Sequence, residues 1–231
     1  MAEIELLVVI GGNHMVKRLI AYFLLIVVVF ALLTSCSTMR PVEFEQISDE
    51  LMQQIDRDQD DYLSAMKDKN ISELLTFHSI THGSFTESGS SELLVLFKVK
   101  DVPHAGGLDR TIAAVYDADT YLLKSQKTFM ADHVSIQLLT GENQRKYILY
   151  IGSVTYQGYT TYSIELFEIE KDGWHSKAVS SETFTENEAF AFTNDTLQVF
   201  NLSYIDNAPV YDYKYTLYWD SVEATFRKEM L

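Results

Sequence analysis

The feature that most constrains the fold is a succession of short apolar segments, rich in β-branched and aromatic residues and separated by turn residues. Leu93-Leu94-Val95-Leu96-Phe97, Thr111-Ile112-Ala113-Ala114-Val115-Tyr116, Tyr147-Ile148-Leu149-Tyr150-Ile151 and Tyr162-Ser163-Ile164-Glu165-Leu166-Phe167 each have the length and composition of a strand. Side chains that are branched at Cβ or carry rings pack well on a pleated, half-buried surface. The β texture holds from about Phe85 onward, and three prolines in the whole chain argue for one continuous domain there. Stacking the segments shows a weak internal pattern. Glu92-Leu93 leads to Ile112-Ala113 and Tyr121, Lys146-Tyr147 to Ile164-Glu165 and Trp174, and Thr196-Leu197 to Tyr215-Thr216 and Phe226. The closing aromatics recur at roughly 50 residues, a period found in propeller blades and similar β-repeats.

Ahead of this region the periodicity changes. Ile47, Leu51, Ile55, Tyr62 and Met66 recur at helical spacing with Asp and Gln between them. Ser48 suits an N-cap and Asp49-Glu50 suit the positive end of the helix dipole, so a helix is expected over 48–68. Asn70, with Glu73 three residues on, is expected to cap a second, shorter helix. The expected architecture is therefore mainly β: a helical segment over 48–82, then an antiparallel β-rich domain over 83–231 with about three propeller-blade-like units.

The amino end carries a different message. Lys17-Arg18 precede an apolar run from Leu19 to Leu33 that is broken only by Tyr22. A bilayer-spanning helix needs roughly 20 apolar residues, and this run meets Thr34, Ser35, Cys36, Ser37 and Thr38 before reaching that length. It reads as a basic n-region followed by a hydrophobic h-region of an export signal. Leu33-Thr34-Ser35-Cys36 then resembles the lipobox of bacterial lipoprotein precursors: an aliphatic residue, two small residues and a cysteine. The resemblance implies a signal peptide over 1–35, acylation of the Cys36 thiol with a diacylglyceryl group, and cleavage just before Cys36. Two acyl chains suffice for stable attachment, since each buried methylene contributes about 0.8 kcal/mol and a single chain holds only marginally. Residues 36–47, polar and proline-containing, then serve as a lipidated tether. Glu3 and Glu5 put acid where an export signal should be basic, so residues 1–14 are read as a mis-assigned gene start, with translation from Met15.

Charge narrows the partners. The chain has 18 basic and 33 acidic residues, a net charge of −15, which removing Lys17, Arg18, Glu3 and Glu5 leaves unchanged. This argues against nucleic-acid binding, which relies on phosphate neutralisation, and against an electrostatic grip on anionic lipids. With Cys36 acylated no thiol remains, so the exported domain has no disulfide and relies on core packing. A monomer without cofactor is expected.

Gly89-Ser90-Ser91-Glu92-Leu93-Leu94-Val95 is similar to the FG-GAP and VCBS class of β-propeller repeats, in which a Gly-rich loop precedes an acid and an apolar strand. Glu87, Ser88 and Ser90 stand where that class has calcium-binding aspartates, so metal binding does not carry over. Three units also fall short of the four to eight blades typical of a closed propeller.

Asp56-Arg57-Asp58-Gln59-Asp60 has the acid spacing of an EF-hand loop, but Asp61 replaces the glycine and Lys67 the bidentate glutamate. A solvated helix face is the better reading. His78 and His82 would share a face of a helix, yet no third ligand accompanies them at motif spacing. The loop Pro103–Arg110 offers His104, Gly106, Gly107 and Arg110 as ligand contacts, because loops carry function more often than strands do. Tyr147, Tyr150, Tyr156, Tyr159 and Tyr162, with Tyr211, Tyr213, Tyr215 and Tyr218, could form a surface for glycan or peptide, although cross-strand aromatic pairs also stabilise sheets and a core role is preferred. Alternation in Tyr211-Asp212-Tyr213-Lys214-Tyr215 predicts three rings on one face. No nucleophile elbow, P-loop or dinucleotide fingerprint is present. The expected function is a lipid-anchored, extracytoplasmic, non-catalytic binding module of the bacterial envelope, with an envelope protein or glycan as partner. The alternative is an envelope hydrolase of glycan or peptide using dispersed Asp, Glu and His.

Overall fold

The computed structural model describes residues 48–59, 75–99 and 109–228. Helix α1 (Asp49–Asp58) begins as its sequence predicts: the Ser48 hydroxyl accepts the Leu51 N–H at 3.3 Å, and Asp49 and Glu50 fill the first turn. Its apolar stripe buries Leu51 and Ile55 against a sheet. The helix ends at Asp58, and Gln59 beyond it donates a 2.7 Å bond to Gln126. Residues 60–74, including the expected Asn70 cap, lie outside the described residues.

Among the described residues twelve strands follow, in three four-stranded antiparallel sheets. The first contains β1 (Leu75–Gly83), β2 (Glu92–Val99), β3 (Asp109–Asp117) and β4 (Leu123–Ala131). The second contains β5 (His133–Thr140), β6 (Lys146–Tyr156), β7 (Tyr159–Glu170) and β8 (Gly173–Lys177). The third contains β9 (Glu188–Thr193), β10 (Thr196–Ile205), β11 (Ala208–Asp220) and β12 (Thr225–Lys228). Within each sheet every strand pairs with the next in sequence, so each is a meander. The segments that stand out in the sequence occupy second and third strands, and Trp174 and Phe226 fall on fourth strands. One expectation is corrected: the helical segment does not extend to 82. Residues 75–83 form β1, because Thr76, Phe77, Ile80 and Thr81 suit a strand and the β2 backbone offers partners along the whole length.

The sheets are held by three apolar layers. On one face of the first sheet, Leu93, Val95, Phe97, Ile112, Ala114 and Tyr116 pack against Leu51 and Ile55 of α1. On its other face Phe129 stacks on Tyr150 of β6 at 4.5 Å and meets Phe167 and Trp174 edge-on or tilted. The second and third sheets share a core in which Leu149 and Leu166 meet Leu197, Val199, Leu217 and Phe226. Trp219 adds a polar link there, its indole N–H donating to the Thr140 carbonyl at 2.8 Å. Strands β2 and β6 are consequently buried on both faces over most of their length, which is why they read as continuous apolar runs rather than alternating ones.

Candidate functional site

Two hairpins form the most distinctive exposed surface. Strands β6 and β7 are joined by Gln157-Gly158 and strands β10 and β11 by Asp206-Asn207, with positive φ at all four residues, the tight turn that matches strand twist. At Gly158 the φ of 85° explains the residue, and Asp and Asn tolerate the left-handed region better than most side chains do. Each turn is flanked by exposed large apolar side chains. Tyr156 is 74% exposed, Tyr159 56% and Ile205 62%, and Tyr211 and Tyr213 farther along β11 are exposed too.

The two hairpin ends are tied together. The Tyr204 hydroxyl accepts the Thr160 N–H at 2.5 Å and donates to the Thr160 carbonyl at 3.1 Å. Its ring meets Tyr159 edge-on at 4.9 Å, and the hydroxyls of Tyr162 and Tyr211 lie 3.1 Å apart. Tyr204 thus spends both hydrogen-bonding functions on holding the hairpins in register, which leaves Tyr156, Tyr159 and Tyr213 presented on a defined scaffold.

The tyrosines divide between core and surface. Tyr147 and Tyr150 are buried, as the core reading expects, while Tyr156, Tyr159, Tyr211, Tyr213 and Tyr218 are exposed. The expected alignment of Tyr211, Tyr213 and Tyr215 on one face does not hold. Phe200 pairs with Tyr213 and its neighbour Val199 with Tyr215, so Lys214 is an extra, bulged residue. Alternation on β10 puts Val199 and Phe200 on opposite faces, and their partners follow: Tyr215 packs against the core while Tyr213 meets Phe200 edge-on and stays exposed.

Bulges also aim two lysines at buried acids, a feature the sequence reading missed. Val115 pairs with Ser125 and Tyr116 with Leu123, leaving Lys124 bulged, and its ammonium lies 3.0 Å from Glu92. Lys214, bulged in β11, contacts Glu188. The Glu92 carboxylate is wholly buried and also accepts the N–H groups of Phe85 and Thr86 at 2.6 and 2.9 Å and the hydroxyls of Thr86 and Ser90. Burial alone would raise its pKa, but the bonds from Thr86, Ser90 and Lys124 outweigh that and hold it at about 2. The Gly89-Ser90-Ser91-Glu92 loop is therefore closed around its own glutamate.

A third cluster lies at the β7–β8 turn, where Glu170, Asp172 and His175 bring ligand atoms within 4.8 Å of one another. All three are exposed, beside an open cleft of about 450 Å³ lined by Thr86, Arg145, Glu170, Lys171 and Asp172. His175 bonds Asp172 at 2.7 Å; this bond raises the imidazole pKa and lowers that of the carboxyl. Arg145 is committed elsewhere, to Glu168 at 2.5 Å and to the carbonyls of Thr86 and Ile169.

The residues expected from sequence scatter. Cys36, His104, Gly106 and Gly107 lie outside the described residues. Arg110 is half-buried in β3, opposite Val99 and Met130. Asp56 is exposed on α1, but Asp58 is half-buried and accepts from Gln54, and Gln59 is buried, so the stretch is a solvated face only in part; Asp60 lies outside the described residues. His78 and His82 lie on β1 rather than on a helix, His78 itself being bulged out of the ladder, so their expected shared helical face is absent. Burial, then the nearby Lys98, lowers the His78 pKa. Comparison of the chain with known protein families, with curated proteins and with solved structures finds no match.

Proposed function

We propose that this chain is a membrane-anchored, extracytoplasmic lipoprotein of the bacterial envelope, held through lipid on Cys36, whose β-rich body is a non-catalytic interaction module. The observation that carries the binding role is the pair of joined hairpin ends with exposed Tyr156, Tyr159, Tyr211 and Tyr213. Exposed apolar surface of this kind is retained where a partner covers it, and tyrosine supplies large contact area at low entropic cost with a hydroxyl for orientation. In this reading the three meanders are blade-like units in series, each with its second and third strands joined in sequence order.

The hydrolase alternative would use Glu170, Asp172 and His175. Its weakness is electrostatic: a general acid needs a raised carboxyl pKa, and His175 moves that of Asp172 downward. A photo-crosslinking amino acid placed at Tyr156 in the native cell tests the binding role. A discrete adduct is expected there, and none at Tyr218; equal labelling at both positions would remove the surface from the proposal. Attachment is tested separately by Cys36→Ala, which is expected to abolish lipid labelling and to release the body or leave an unprocessed precursor.

A further inference from the structure

We propose that the tyrosine surface binds a basic polypeptide segment, its lysine or arginine side chains resting on the exposed rings; this rests on the reading above that the hairpin ends are the contact surface. The argument is charge complementarity. The segments that build the surface, residues 152–163 and 201–213, contain no Lys, Arg or His, and their only charged residues are Asp206 and Asp212, both exposed. Asp132 joins them from the β4–β5 connection, its carboxylate accepting the Thr155 N–H at 2.6 Å, and beside it the exposed His133, opposite Ser153, is a basic side chain that these strands bring to the surface. Lys214, the base nearest in sequence, is bound to the buried Glu188.

An anionic partner would meet these acids with nothing to neutralise it, in a chain of net charge −15. A neutral glycan would cover aspartates without returning a counter-charge for the water it displaced. A basic segment satisfies both features, because ammonium and guanidinium groups are attracted to tyrosine faces and to carboxylates alike.

The test uses the full-length chain and three labelled probes: a peptide of repeating Gly-Lys-Ser-Arg units, its counterpart with Glu and Asp, and a neutral chitin oligosaccharide. The basic peptide is expected to bind, and Tyr156→Ser/Tyr159→Ser/Tyr213→Ser to weaken it about tenfold at unchanged net charge, as the loss of several exposed ring contacts implies. Tyr218→Ser, which removes an exposed ring opposite Thr196 at the other end of β11, is expected to bind as the parent does. Asp206→Asn should weaken binding and flatten its salt dependence. Undiminished binding by the triple variant would overturn the proposal, since general attraction to an acidic protein would then suffice. Tyrosine-dependent binding of the acidic peptide or the oligosaccharide instead would also overturn it while leaving the contact surface standing. Failure of all three probes would overturn both.

Discussion

Glu92 in the first sheet and Glu188 in the third are two solutions to one problem, a carboxylate at the start of a strand with almost no access to water. Both follow a Phe-Thr-Glu sequence, Phe85-Thr86-Glu87 and Phe184-Thr185-Glu186, and both accept the threonine N–H. Each also meets a lysine that a bulge pushes out of a neighbouring ladder, Lys124 or Lys214. They differ in how completely the charge is answered. Glu92 closes a loop long enough to fold back on it and collects two backbone N–H groups, two hydroxyls and an ammonium. Glu188 closes a shorter loop, with bonds from one backbone N–H and one ammonium. Burying a charge is costly in itself, so the donors decide whether the acid stabilises the fold or merely survives in it. The loop at Glu92 also reaches the second sheet, since Lys146 donates to Ser84 and Arg145 to the Thr86 carbonyl.

The largest expected effect follows from removing the better-answered charge. Glu92→Gln should cost about 3 kcal/mol, measured by denaturant unfolding, because a carboxyl held near 2 rather than its usual value near 4.5 favours the folded state by that order. The sign fixes the pH window. A carboxyl with a depressed folded pKa contributes fully above its unfolded pKa, and the contribution is lost as pH falls through the folded value. Stability should therefore decline from about pH 4.5 toward pH 2, and Glu92→Gln should remove much of that decline. An unaltered acid limb in the variant would break the comparison at its stronger end.

How much of this was legible in the sequence depends on where the partners lie. The runs Leu93–Phe97 and Tyr147–Ile151 showed themselves because strands buried on both faces are apolar at every position. Strand β1 was hidden because Thr, Ser and His interrupt it and its strand character depends on pairing with β2. Strand β4 was hidden for a similar reason, with Lys124, Gln126 and Lys127 along its exposed positions. Glu92 lies in the stretch that resembles FG-GAP and VCBS repeats, but the donors that define its role come from residues 85, 86, 90 and 124. Only the repeated Phe-Thr-Glu sequence could have pointed to both glutamates. The bulges at Lys124 and Lys214 leave no local signature, so strict alternation misplaced Tyr215 relative to Tyr213.

The weaker clasp supplies the next contrast. Glu188→Gln keeps the size of the side chain and an oxygen for the Thr185 N–H, and loses the charge that holds Lys214. A cost of about 1 to 2 kcal/mol is expected, the range for a buried polar group that loses one strong partner. On the alkaline side, the contact with Glu188 raises the Lys214 pKa, so its contribution is present at neutral pH and lost as pH rises past the ordinary lysine range. A Glu188→Gln loss as large as that of Glu92→Gln would mean that the number of donors does not set the difference between the two loops.

The smallest effect is the sharpest test of how the Glu92 network is built. Ser90→Ala removes one hydroxyl that donates to Glu92 at 2.7 Å, and leaves both backbone N–H groups, the Thr86 hydroxyl and Lys124 in place. If the remaining donors share the charge, the loss should be about 0.5 to 1 kcal/mol, the ordinary net value of a single hydrogen bond. The midpoint of the acid transition should move up in pH by a fraction of a unit, because a carboxylate with one bond fewer protonates more readily. A loss near that of Glu92→Gln would show instead that the bonds are strongly cooperative, each needed to keep the loop folded over the acid. The matching change in the third sheet has no hydroxyl to remove, since Thr185 reaches Glu188 through its backbone N–H. The first loop can be weakened by degrees, while the second has little between intact and broken.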